Sequence, residues 1–145
     1  MTGDAQQPGA ARLDVARKFL ATNHHAVLVT RRSTGQLQSS PVSAVSDDEG
    51  RVLVSTRTGS AKERNVIRDP RVTLCVVSDS WFGPWVHLDG TALVVRLPDA
   101  MDLLVEYYER VAGTHPDWDA YRAAMAEEQR VVLRIELEHA SPLAS

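Results

Sequence analysis

The sequence predicts a mainly β protein with a few helices, a small antiparallel barrel of six strands with helices at its ends. Short runs rich in β-branched residues recur with turn-sized gaps between them. The early runs have no crossover helix between them, which disfavours a parallel, doubly wound sheet. The 145 residues suit one domain and are enough to bury a core without disulfides.

Residues 1–11 are rich in Gly, Pro and Gln and are expected to be a disordered tail, with a single domain over 12–145. "RLDVARKFLAT" over 12–22 places Leu13, Ala16, Phe19 and Leu20 at helical spacing. "HHAVLVTRR" is a strand, "STGQ" a turn, and "LQSSPVSAVS" a second strand closing a hairpin. After the turn "DDEG", "RVLVSTR" is a third strand, so a three-stranded meander precedes residue 58.

Beyond Pro70, "RVTLCVVS" aligns Val72, Leu74 and Val76 on one face. "WVHLDGTALVVRL" is a long strand with a bulge expected at Gly90. Two helices follow, over 99–112 with Asp99 as cap and Gly113 as terminator, and over 116–128 with Pro116 in its first turn. "RVVLRIELEHA" is the last strand.

The net charge of −3 conceals an asymmetry. Residues 1–72 carry eleven Lys/Arg against seven Asp/Glu, and residues 73–145 carry five against twelve. Six of the cations fall within 51–71. So compact a cluster fits one small anionic ligand better than a nucleic-acid face. No apolar stretch approaches the roughly 20 residues of a membrane span, and the polar N-terminus is no signal peptide, so a cytoplasmic location is expected. Cys75 lies in an apolar run and is expected to be a small core residue.

The cations gather where strand three gives way to a helix. Ser60-Ala61-Lys62-Glu63 fits the S-x-x-E capping box, and Gly59 permits the sharp turn before it. Backbone N–H groups point out of such a helix start, where the dipole is positive. Arg57 lies just before the cap, Lys62 just inside it, and Arg64 and Asn65 within the next turn. Aimed amides, a hydroxyl and cations are the parts of a phosphate site. The same residues also suit a solvated helix start, and capping boxes are common. The glycine patterns of P-loops and dinucleotide folds are absent.

"SPVSAVSDDEGRVLVSTRTGSAKERNVIRDPRVTLCVV", "PWVHLDGTALVV" and "YYERVAGTHPDWDAYRAAM" resemble the pyridoxamine 5'-phosphate oxidase-like split-barrel superfamily, and within it the branch of deazaflavin (coenzyme F420)-dependent oxidoreductases. The similarity runs from about residue 12 to residue 140. It implies a split β-barrel homodimer with the cofactor at the subunit interface. It further implies that Thr56, Arg57, Ser60, Ala61, Lys62 and Asn65 hold the cofactor phosphate. Ser40, Pro41 and Val42 would flank the redox-active ring, with the Val42 amide able to donate to it where Pro41 cannot. Trp85 would reach the cofactor from the fifth strand. The surplus cations Arg64 and Arg68 would suit the acidic tail of F420. The implied activity is hydride transfer from reduced F420 to an electron-poor small molecule, with no catalytic side chain assigned. FMN is the alternative cofactor, in a flavoprotein or flavin reductase, and a non-catalytic F420 carrier is a further alternative.

The remaining chemistry-bearing residues point elsewhere. His24 and His25 open a strand and face opposite ways. His87 is either a proton donor facing the site or a hydrogen-bonded barrel histidine. His115 and His139 stand alone in sequence, and no HExxH or CxxC spacing exists, so no metal site is expected. No G-x-S-x-G elbow supports hydrolase chemistry. Trp81, Phe82 and Trp85 suit core packing or a dimer contact as well as they suit stacking on a ring or lining a substrate pocket. Of Tyr107 and Tyr108 at most one should face the core, and Trp118, Tyr121 and Met125 form a packing stripe.

Overall fold

A computed structural model describes residues 8–144. Helix α1 spans Pro8–Leu20, with proline in the first turn, where a missing N–H leaves no bond unmade. It starts inside the segment expected to be a tail, so residues 8–11 are helical; residues 1–7 lie outside the described residues. Ala16 and Leu20, four apart, are fully buried.

Strand β1 (His25–Arg31) turns back into β2 (Leu37–Ser43) as the hairpin that the turn residues predict. The expected continuous second strand ends there. After Ala44 the chain resumes as β3 (Val45–Ser46), a two-residue strand. Ala44 and Val45 are both fully buried, but in different cores, so the side-chain alternation breaks between them. Among the described residues the sheet therefore has seven strands rather than six, in the order β2-β1-β5-β6-β7-β4-β3. The three-stranded meander is likewise not formed: β4 (Val52–Arg57) pairs with β3 and β7, not with β2. β2 nonetheless comes close to β4 without pairing, which curls the sheet into a half-barrel with a split between these strands.

Helix α2 (Ala61–Arg68) connects β4 to β5 (Arg71–Val77), and β6 (Trp85–Val95) follows. The expected bulge is present, with the β6–β7 register shifting between Asp89 and Gly90. A Cβ at position 90 would collide with the Glu136 carbonyl oxygen, which explains the glycine. Helices α3 (Ala100–Ala112) and α4 (Trp118–Glu127) lead into β7 (Arg130–Ala140). Asp99 precedes α3 with helical backbone angles and makes no side-chain cap bond. Of these two helices it is α4 that has a side-chain cap: Asp117 accepts from the Ala120 amide at 3.1 Å, so α4 starts two residues later than Pro116. Gly113, at φ 84°, ends α3 as expected.

Two apolar cores result. The inner one fills the half-barrel with residues such as Leu28, Val54, Leu74, Leu88 and Leu133. The outer one lies between β4, β7 and helices α3 and α4, around Leu53, Leu104, Tyr121 and Val132. β4 and the first half of β7 are thus buried on both faces. Trp118, Tyr121 and Met125 do form a packing face on this outer core. Tyr107 and Tyr108 both pack there, contrary to the expectation of at most one. Tyr107 reaches the Ser43 carbonyl at 2.9 Å, while Tyr108 meets Tyr121 edge-on at 5.0 Å.

Cys75 is also not a core residue. Val72, Leu74 and Val76 point inward, so Cys75 is half-buried on the outer face, opposite His87. Trp81 and Phe82 are 81% and 87% exposed and pack in neither core. Among the described residues no helix is long and apolar enough to cross a membrane.

Candidate functional site

The end of β4 and the start of α2 meet at the lip of the half-barrel. Ser60 is the N-cap of α2, and its hydroxyl oxygen accepts from the Glu63 amide at 3.2 Å. The same oxygen accepts from the Thr56 hydroxyl at 3.0 Å. With both acceptor positions filled, the Ser60 proton is free to donate outward. Glu63 reaches back to the Gly59 amide at 2.7 Å, one residue earlier than a standard capping box requires. Its other oxygen is buried without a hydrogen bond, 3.3 Å from the Arg96 guanidinium.

The Ala61 and Lys62 amides, in the first turn, have no hydrogen-bond partner among the described residues. Lys62 is half-buried and makes no ion pair among them. Arg57 is exposed and shares Glu128 with Arg130, at 3.4 and 2.9 Å. Arg130, and then Arg57, hold the Glu128 carboxyl below its ordinary range despite the opposing effect of desolvation. Arg64 donates to the Gly59 carbonyl and Arg68 to the Arg31 carbonyl.

Asn65 is 5% exposed and carries the polar cluster into the barrel. Its amide group donates to the Thr30 hydroxyl at 3.0 Å and approaches the Gln38 oxygen at 3.5 Å. Thr30 and Gln38 were not singled out from the sequence. Both sit at inward positions of otherwise apolar or small-residue strands, which is the signal that could have identified them.

β2 supplies the next part. It is an edge strand, so alternate backbone groups point away from β1 into the split. Ala44 donates to the His24 carbonyl and Arg32 to the Gln36 carbonyl, which fixes the even-numbered residues as the bonded pairs. The Val42 amide therefore faces Ala26 within the ladder, and the expectation that it could donate to a bound ring is not met. Leu37, Ser39, Pro41 and Ser43 are the outward-facing positions, and the Ser43 carbonyl there accepts from Tyr107. Pro41 contributes no N–H, so Leu37, Ser39 and Ser43 carry the amides that the edge offers. Ser40 and Val42 are half-buried and turn toward the barrel interior, alongside Gln38.

The structure thus brings Thr56, Arg57, Ser60, Ala61, Lys62 and Asn65 to one lip, where Asn65 meets Gln38 of β2, the strand that also carries Ser40, Pro41 and Val42. It does not bring Trp85 there within one chain. The Thr30 end of β1 meets Asn65, whereas the His25 end aligns with Val77 and Trp85, about 17 Å along the strand. Trp85 is 40% exposed on the outer face of the sheet.

In chemical terms, the lip offers two free amides, a hydroxyl and an ammonium for a phosphate. The open edge beside it offers a flat surface for a ring. A phosphorylated ring cofactor fits this donor set.

A conserved hypothetical protein from Mycobacterium tuberculosis is similar in structure, with a TM-score of 0.72 and 24% identity over 88% of this chain and 81% of that one. A protein described as an F420 reductase has a TM-score of 0.66 and 21% identity, covering 86% and 94%. A putative pyridoxamine 5'-phosphate oxidase from Listeria innocua has a TM-score of 0.65 and 16% identity, covering 89% and 95%. At these identities the likeness shows the split-barrel fold. The sequence profile described as Pyridoxamine 5'-phosphate oxidase matches residues 13–144, nearly the whole chain, and with the matching half-barrel the chain belongs to that family.

Proposed function

We propose that this protein is an oxidoreductase that binds coenzyme F420, works as a homodimer and reduces an electron-poor small molecule such as an enone, a quinone or a tetrapyrrole. The observation that carries the reading is the lip of the half-barrel. There the Ala61 and Lys62 amides are free, Lys62 has no ion pair among the described residues, and the Ser60 hydroxyl can donate. The resemblance of residues 40–77 to the deazaflavin branch supports F420 over other phosphorylated cofactors, and one structural neighbour is described as an F420 reductase.

When bound, reduced F420 supplies a hydride to the acceptor. The chain's own residues bind and orient. Lys62, Ser60 and the first amides of α2 anchor the phosphate, and Arg57 adds positive charge while remaining tied to Glu128. Asn65, fixed by Thr30, keeps α2 at a set distance from β1. The β2 edge at Ser39–Ser43 provides the surface against which the ring lies. Holding donor and acceptor in one orientation supplies much of the rate in such a reaction. The exposed apolar residues Trp81, Phe82 and Trp85, where β5 turns into β6, support a second copy of the chain at that end of the sheet. Trp85 would then reach the cofactor of the partner or the common interface.

FMN is the second reading, and one observation favours it. Arg64 and Arg68 are turned to backbone carbonyls, so the cations expected to meet an acidic tail are partly engaged within the chain. Titrating the purified protein with F420 and with FMN, followed by absorbance and fluorescence, separates the two. Saturable binding of F420, tighter than that of FMN, is expected; binding of FMN alone contradicts the reading. Oxidation of reduced F420 by a panel of enones and quinones then distinguishes an enzyme from a carrier.

A further inference from the structure

The outer face of the sheet carries a second cluster, away from the lip. His87 and Asp89 are two apart on β6 and so share a face. Asp89 stands directly opposite His139 on β7 and opposite Thr73 on β5. One carboxylate oxygen, Oδ2 of Asp89, lies 3.0 Å from Nε2 of His87 and 3.3 Å from Nδ1 of His139. All three atoms lie within 4.8 Å of one another.

We propose that His87, Asp89 and His139 form a binding site for one divalent transition-metal ion of borderline softness, with Zn2+ or Co2+ as the natural probes.

The ligand types fit. Two imidazoles and one carboxylate suit ions of this class, whereas Ca2+ and Mg2+ take oxygen ligands. The spacing fits as well. Neighbouring ligand atoms around a tetrahedral ion with bonds of about 2.0–2.1 Å stand about 3.4 Å apart. Small side-chain adjustments would therefore admit the ion. The second carboxylate oxygen, Oδ1, accepts from the Thr73 hydroxyl at 2.6 Å, which orients the carboxylate and leaves Oδ2 for the ion. The three side chains are about half-exposed, so the ion has a path in from solvent.

Three protein ligands leave coordination positions open. His87, Asp89 and Thr73 line a cleft of about 430 Å³ that also contains Val29, Arg31 and Glu138. Water or an oxygen ligand of a bound small molecule would complete the shell from that cleft. Nothing in this arrangement depends on a cofactor at the lip. The competing arrangement is a plain hydrogen-bonded cluster in which both histidines donate to Asp89.

Calorimetric titration of tag-free, chelator-treated protein with Co2+ and Zn2+ separates these. One ion per chain is expected. His87→Gln and His139→Gln should each weaken binding at least tenfold, and Thr73→Val about 10–100-fold, the effect of losing an outer-shell partner. His115→Gln, which alters a histidine beside Tyr108 and Trp118, should leave affinity unchanged. Paramagnetic broadening by Co2+ in the NMR spectrum of the wild-type protein should centre on the imidazoles of residues 87 and 139, a readout that needs no variant to fold. Absence of saturable binding, affinity unaffected by both cluster-histidine variants, or broadening centred elsewhere would overturn the proposal.

Discussion

The Thr56 hydroxyl donates to the Ser60 hydroxyl oxygen at 3.0 Å, tying the last inward residue of β4 to the cap of α2. One hydroxyl thus joins strand, turn and helix at the point where the free amides emerge. Replacing Ser60 with alanine removes the acceptor for both Thr56 and the Glu63 amide. Ser60→Ala should lower unfolding stability by about 1 kcal/mol in urea titrations, the typical cost of losing such a cap. It should also weaken cofactor binding. Unchanged stability would mean that the cap is not formed in solution.

Tyr121 links the two outer helices. Its buried hydroxyl donates to the Leu104 carbonyl at 2.8 Å. Tyr121→Phe should cost about 1 kcal/mol, the net worth of one such bond. Burial, chiefly, pushes the phenol up to about 12 from 10.0. A raised value means that the folded state favours the neutral phenol. Its contribution is therefore complete below about pH 10 and is lost as pH rises toward 12. The Tm advantage of wild type over Tyr121→Phe should shrink across that window. An advantage that stays constant would contradict the assignment.

Asp69 gives the opposite dependence at acid pH. Its carboxyl is held at about 2, first by the Arg71 guanidinium bond and then by the Arg71 amide. A lowered value means that the folded state favours the carboxylate. The pair then contributes above the ordinary 3.8 and is lost as pH falls toward 2. Asp69→Asn should show a small Tm deficit at pH 7 that closes by about pH 2. The pair is exposed, so salt should reduce the deficit as well. A deficit independent of pH would show that the asparagine acts through the α2 terminus instead.

What could be read from the sequence was local. The Ser60 cap, the Gly90 bulge, the Gly113 terminator and the β1–β2 hairpin each depend on a few adjacent residues, and each is present. The break at Ala44 was hidden because Ala44 and Val45 read as a continuing apolar strand, and their burial in separate cores emerges only once α3 and α4 cover one face. Pairing of β4 with β7 is non-local, so the apparent meander gave the wrong neighbour. The direction of the Val42 amide depends on hydrogen-bond parity, which the hairpin register sets and side-chain patterning does not encode. In the same way, His87 and His139 are far apart in sequence and meet only through the bulged β6–β7 register. At the lip, the cations were legible, but their engagement with Glu128, Gly59 and Arg31 was not.

The most direct test of the central claim, that the start of α2 grips a cofactor phosphate, is the dissociation constant of F420 for wild type and for Lys62→Ala, measured by fluorescence. Loss of one charge-assisted bond should weaken binding by roughly 1.5–3 kcal/mol, about tenfold to more than a hundredfold, with Tm unchanged. An equal dissociation constant in the two proteins would contradict the claim.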